Sequence, residues 1–342
     1  MVNAKHLRKF GVRVVAIGGG TGLSTLLRGL KQHVARRRHD LARFPIADLS
    51  AIVTVTDDGG SSGRLRRENR ILPPGDIRNC LVALSQDETL LGRLFQYRFH
   101  AGRGLRGHSF GNLFLTALSD VTGDFAEAVR LSGQVLATRG RIFPATIANV
   151  SLRAVMKDGS IVAGETRIAA CRKSKIRRIE LSPRRVRPLP EVLEAIAQAD
   201  LILLGPGSLY TSVLPNLLVQ GVAEAIEKSD ATRVYIANLM TQPGETLDFT
   251  LADHVRVLLR QTRRKVIDWV VVNNKPISPE LLRRYRSKHS EPVRVDFPQL
   301  QRLGVKCVFA DLLEEYAVVR HSTDRLAQLL LDKFVRDAPV RS

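Results

Sequence analysis

A short apolar run that ends in glycine occurs twice in this chain, and a helical pattern follows each time. Residues 12–17 lead into Gly18-Gly19-Gly20-Thr21-Gly22, after which Leu23, Leu26, Leu27 and Leu30 recur at helical spacing. Residues 201–204 lead into Gly205-Pro206-Gly207-Ser208, with a helix expected over 217–226. Ala51-Ile52-Val53-Thr54-Val55, Val234-Tyr235-Ile236-Ala237-Asn238 and residues 266–272 are further apolar runs without alternation. Such runs, separated by helices, are strands of a parallel sheet covered on both faces. The expected fold is therefore α/β: Rossmann-like and doubly wound, with a mainly parallel sheet.

Between the halves the period changes. Residues 76–137 are mostly helical in pattern, whereas 150–168 alternate like a hairpin around Lys157-Asp158-Gly159. Residues 176–190, rich in arginine and proline, look like an excursion from the sheet. The expected organisation is a basic N-terminal segment over 1–11 and a single domain over 12–342, with a helical and β insertion at roughly 76–190.

Charge narrows the partners. Lys and Arg number 53 against 33 Asp and Glu, a net charge of +20 gathered at Arg36-Arg37-Arg38, 172–187, 260–265 and 283–288. Only 5% of residues are aromatic, and these basic runs are not interleaved with them. A base-stacking platform is therefore not expected, and no specific nucleic-acid partner with it. Cys80, Cys171 and Cys307 are far apart and odd in number, which excludes a disulfide framework and a zinc knuckle. No apolar stretch approaches the ~20 residues of a membrane span. A cytoplasmic setting without membrane insertion is expected, and a homo-oligomer is compatible with the sequence.

Glycine between strand and helix lets backbone amides and the helix N-terminus hold an anion. The first loop fits neither common template. Leu23 stands where a dinucleotide fingerprint needs glycine, and no lysine occurs before Lys31 for a phosphate loop. The second strand ends in Thr56-Asp57-Asp58-Gly59-Gly60-Ser61-Ser62-Gly63-Arg64. Its adjacent carboxylates suit ribose hydroxyls, a Mg²⁺ at Asp57 and Asp58, or a base, while its hydroxyls and Arg64 suit phosphate. The bland alternative is a helix-capping turn. Asp76, Arg78 and Asn79 precede one apolar helix, and His108, Ser109 and Asn112 precede another. Asp57, Asp58, Asp76 and His108 are the catalytic candidates, with a plain N-cap and a structural histidine as the alternatives for the last two.

Four long strings carry a resemblance: 15–23, 53–63, Pro74-Gly75-Asp76-Ile77-Arg78-Asn79 and Gly107-His108-Ser109-Phe110-Gly111-Asn112. Gly205-Pro206-Gly207-Ser208-Leu209-Tyr210-Thr211-Ser212 and 238–246 extend it through the second half. Together they resemble the bacterial gluconeogenesis factor family (YvcK), within the wider group of 2-phospho-L-lactate transferase-like (CofD-like) proteins. The resemblance covers roughly residues 12–334. It implies a Rossmann-like fold that binds a nucleotide, with members associated with UDP-sugar binding and with cell-shape and envelope homeostasis during gluconeogenic growth. The residues it implicates, besides the first two loops and the polar strings above, are Gly205, Gly207, Ser208, Tyr210, Asn238, Thr241, Gln242, Gly244, Glu245 and Thr246. On this reading the glycine turns contact phosphates, Asp57 or Asp58 reads hydroxyls, and residues 238–246 close the pocket of a regulator that would need a protein partner. The alternative is a Mg-dependent phosphotransferase of the 2-phospho-L-lactate transferase type. Asp57, Asp58 and Asp76 would then be metal ligands or base, with Arg64 and Arg78 stabilising charge.

Overall fold

The computed structural model describes residues 11–37, 40–41, 43–86 and 90–336; the basic segment before Gly11, and Arg38 of the first arginine run, lie outside the described residues. The chain begins with β1 (Val12–Gly18), β2 (Ile46–Val53) and β3 (Arg141–Pro144). It then builds a separate three-stranded antiparallel sheet from β4 (Ser151–Met156), β5 (Ile161–Ala163) and β6 (Ile176–Ser182). It returns with β7 (Leu201–Leu204), β8 (Thr232–Ile236), β9 (Trp269–Asn273) and β10 (Lys306–Ala310), and ends in a hairpin of β11 (Leu313–Glu315) and β12 (Val319–His321).

The main sheet has the order β10-β9-β8-β7-β1-β2-β3, and every pair in it is parallel. β1 is buried everywhere except at Arg13, and β7 is buried throughout. That is why both read as unbroken apolar runs. From β1 the chain winds outward to β3; from β7 it winds outward the other way to β10. β1 and β7 therefore flank the point where strand order reverses, the place where open α/β sheets leave a crevice beyond their carboxyl ends. Helix Gly20–Leu30 buries Leu23, Leu26, Leu27 and Leu30 and packs on helices Gly75–Leu84 and Thr323–Leu331.

The sequence expectation departs from this structure at three places. β3 falls inside the stretch 76–190 marked as an insertion, yet it pairs with β2 in the main sheet; four residues are too short for a periodicity to announce. The arginine-rich stretch 176–190 does leave the main sheet as expected, and it carries β6 of the small antiparallel sheet, whose Ile176, Ile179 and Leu181 turn inward while arginines face solvent. The helix expected over 217–226 is broken into Leu214–Leu217 and Val222–Lys228 around Gly221, which adopts a left-handed conformation. Finally, β10, β11 and β12 are not marked by the sequence pattern, because they are short and only partly buried.

Candidate functional site

β1 and β7 pair in register with Ile17 opposite Leu204, so their glycine turns leave the sheet side by side. The Gly205 amide donates to the Ile17 carbonyl at 2.9 Å. Gly19 is an extended N-cap with no side-chain cap, so the first amides of helix Gly20–Leu30 lack a side-chain acceptor from that position. Two glycines are sterically required. Gly20 has φ +63°, and a Cβ on Gly22 would lie 2.3 Å from the Pro206 carbonyl oxygen. Beneath the turns, fully buried Asn216 donates to the carbonyls of Gly18 (3.1 Å) and Ser212 (2.8 Å), tying one loop to the other.

A cleft of about 790 Å³ opens above this junction. Of the residues singled out from sequence, Gly19, Gly20, Thr21, Gly22, Gly207, Ser208, Asn238, Thr241 and Gln242 line it. Asn238 accepts from the Gly207 amide at 3.4 Å, and Gln242 donates to the Ser208 hydroxyl at 2.7 Å. Arg172, Lys288 and Arg320, from three separate segments, also line the cleft. None of the three has a carboxylate partner among the described residues. Sequence reasoning noted the basic runs holding Arg172 and Lys288 but not their convergence; it gave Ser212 no role and missed Arg320, Asn216 and Glu165. Only the three-dimensional path brings those positions together.

Acids lie beside the glycine loop. A Cβ on Gly19 would stand 2.6 Å from a carboxylate oxygen of Asp76, so that acid lies against the glycine loop. Burial first, then the Asp57 carboxylate, push Asp76 up to about 7, against the pull of the Gly20 amide and Arg78. Glu165, which lines the cleft, is likewise pushed well above its ordinary value by burial and by Asp76 and Asp57. Asp57 accepts from the Gly59 amide at 2.9 Å, an Asx turn. Asp58 accepts from the amide (2.9 Å) and hydroxyl (2.8 Å) of Thr166, holding helix Glu165–Ala170 to the loop. Neither Asp57 nor Asp58 lines the cleft. Among the described residues no group of three or more His, Cys, Asp or Glu is placed to hold a metal ion.

The other polar strings form a hydrogen-bonded interior next to the acids. Ser61, in helix Gly60–Asn69 capped by Gly59, bonds His108 Nδ1 at 2.9 Å and accepts from Asn112 at 3.1 Å. Ser62 accepts from the Gly75 amide, and Arg78 donates to Ser109, Asn112 and Asn79. Arg64 donates to the Arg106 carbonyl. Burial, with Arg64 beside it, holds His108 below the ordinary histidine value. Ser109 is the N-cap of helix Phe110–Thr122. Tyr210, Glu245 and Thr246 are buried supports. Glu245 accepts from the Tyr210 amide (3.0 Å) and the Thr211 hydroxyl (2.9 Å), and the Thr246 hydroxyl accepts from the Gln242 amide at 3.0 Å. A Cβ on Gly244 would meet the Ala169 carbonyl at 1.8 Å, so this glycine lets the 238–246 loop press on helix Glu165–Ala170. Gly18 closes β1, and Gly205 opens its turn with φ +80°.

Comparison with known proteins agrees along nearly the whole chain. Residues 14–313 match the family described as 2-phospho-L-lactate transferase CofD. The chain is 48% identical over 322 residues to the gluconeogenesis factor of Bacillus subtilis, covering 94% of this chain and 97% of that protein. It is 44% identical over 320 residues to the gluconeogenesis factor of Listeria innocua, covering 93% and 94%. A crystal structure of a upf0052 family member from Bacillus halodurans superposes with a TM-score of 0.88 at 47% identity, covering 94% of this chain and 99% of that one.

Proposed function

Because the chain belongs to the CofD family, in its gluconeogenesis factor branch, we propose that it is a regulatory protein that binds a nucleotide sugar of the UDP class in the cleft between its two glycine turns. The observation that carries this reading is the meeting of Gly20–Gly22 and Gly207–Ser208 at the reversal of strand order, in a cleft that Arg172, Lys288 and Arg320 also line. Backbone amides at the end of β1 and on the β7 turn supply donors to a diphosphate, and the three cations supply compensating charge. At about 790 Å³ the cleft lies in the range of small-ligand sites. Asn238, Thr241 and Gln242 then face the sugar or ribose with donors and acceptors. The names of the relatives support a role in gluconeogenic growth, to which the resemblance in sequence adds cell-shape homeostasis as the physiological output.

Ligand-linked stability tests the reading. UDP-N-acetylglucosamine at a hundredfold excess over its dissociation constant is expected to stabilise the fold by ~2.7 kcal/mol. In a chain of this size that raises the melting temperature by roughly 5 °C. NAD at the same concentration should shift it less, since Leu23 stands where a dinucleotide fingerprint has its third glycine. A larger shift with NAD or GDP would overturn the choice of uridine.

The carboxylates Asp57, Asp76 and Glu165 beside the glycine loop support a second reading, a Mg-dependent transferase. Mg²⁺ is ordinarily held by one or two carboxylates together with phosphate oxygens, and under this reading Asp57 and Asp76 would offer them. Divalent-dependent formation of a product would select that reading over a binding protein without turnover.

A further inference from the structure

The two edges of the main sheet are finished differently. In β3 the Ala145 amide donates inward to the Val53 carbonyl at 2.9 Å, so alternation puts Pro144 on the outward side, where it offers no N–H. Arg141 of the same strand is held by Asp48. A charge and a proline thus protect that edge. In β10 the Lys306 amide donates to the Asp268 carbonyl at 2.9 Å, and the Ala310 carbonyl accepts from Asn274 at 3.0 Å. Lys306, Val308 and Ala310 therefore bond β9, while Cys307 and Phe309 turn their N–H and C=O groups away from the sheet. Among the described residues those groups have no hydrogen-bond partner.

The side chains along this edge sort by face. Cys307 and Phe309 share one face, and the Phe309 ring is exposed. Lys306 lies on the other, beside its cross-strand partner Trp269, and both Lys306 and Lys333 sit over the Trp269 ring, at 5.2 and 5.8 Å from its centre. At the amino end of the strand stand Arg302, which ends helix Phe297–Arg302, and Arg263, which lines a hollow together with Leu303 and Gly304. Arg263, Arg302, Lys306 and Lys333 are exposed, and none has a carboxylate partner among the described residues.

We propose that the outer edge of β10 docks an extended acidic segment of a partner protein, which joins the seven-stranded sheet as an eighth strand. Main-chain bonds to Cys307 and Phe309 supply affinity, and side chains on alternate faces supply selectivity. A segment that alternates apolar and acidic residues matches both faces, apolar groups on Phe309 and carboxylates toward Lys306 and Lys333. A second copy of this chain is disfavoured, since each copy carries a net charge of +20. The basic rim lies at the amino ends of β9 and β10 and the cleft at the carboxyl ends, so docking here is separate from binding in the cleft.

The test is fluorescence anisotropy of a labelled peptide of alternating valine and glutamate with the full chain, wild type and Cys307→Pro. Proline removes an outward N–H but no bond to β9. The expected result is binding to the wild type, weakened roughly tenfold by Cys307→Pro and roughly tenfold when lysine replaces glutamate in the peptide. No binding to the wild type, equal affinity in the folded variant, or indifference to the peptide's charge would overturn the proposal. Should Cys307→Pro not fold, hydrogen exchange of the wild type decides: the peptide should slow exchange within residues 306–310, and unchanged exchange there contradicts docking at this edge. Sedimentation showing a wild-type dimer that Cys307→Pro abolishes would instead assign the edge to a second copy and overturn the acidic partner.

Discussion

Asp76→Asn is expected to stabilise the protein progressively as pH rises, with the gain over wild type growing by about 4 kcal/mol between pH 4 and pH 8. The carboxyl titrates at about 7 in the folded chain against an ordinary 3.8. Between those values the unfolded chain has released its proton while the folded chain still holds it. The stability this group contributes is therefore complete below pH 4, is lost as pH climbs toward 7, and does not change further above it. Asparagine cannot ionise and retains a carbonyl oxygen to accept from the Gly20 amide, so its variant escapes this loss. Denaturant unfolding of both proteins at pH 4, 6 and 8 measures the effect. A difference independent of pH would show that Asp76 titrates as an ordinary surface acid. The same group acts on the ligand. An ionised Asp76 against the glycine loop opposes a phosphate, so wild-type affinity should fall as pH rises through 7 and the variant's should not.

Gly22→Ala is the second large effect. The added carbon would lie 2.3 Å from the Pro206 carbonyl oxygen and 3.1 Å from the Gly207 nitrogen, both backbone atoms that no rotamer change can move aside. Overpacking of this kind costs about 1–3 kcal/mol, and here it separates the two turns that frame the cleft. A drop in melting temperature of roughly 5 °C, together with loss of the ligand-induced shift, is the expected outcome. Gly104→Ala is the control, since an added carbon there meets nothing within 4 Å; its melting temperature should match wild type. Retention of both stability and ligand response in Gly22→Ala would show that the turns are not in close contact.

Legibility in the sequence follows the same physics. The strands nearest the reversal point, β1, β2, β7 and β8, are buried over most of their lengths, and the apolar runs at 12–17, 51–55, 201–204 and 234–238 reveal them. β3 and β10 are four- and five-residue strands at the two edges of the sheet, and nothing in their composition distinguishes them from loops. At the site, the glycine turns stand out because close backbone approach leaves glycine as the residue that fits, at Gly22 above all. The role of Glu245 does not stand out: a glutamate in a Pro-Gly turn reads as a pocket residue, whereas the fold turns it inward to hold the amide of Tyr210. The adjacent pair Asp57-Asp58 is similarly ambiguous in sequence, and the fold divides it, one acid closing its own turn and the other fastening a helix more than a hundred residues away. The convergence of Arg172, Lys288 and Arg320 has no local signature, because each comes from a different segment.

The central claim is that one cleft, framed by both glycine turns, binds a nucleoside diphosphate sugar. A crystal structure of the protein grown with UDP-N-acetylglucosamine tests it most directly. The diphosphate should lie within hydrogen-bond distance of the Gly20–Gly22 and Gly207–Ser208 amides, with Arg172, Lys288 or Arg320 on its outer oxygens. Ligand density elsewhere on the surface, with those amides bound only to water, would contradict it.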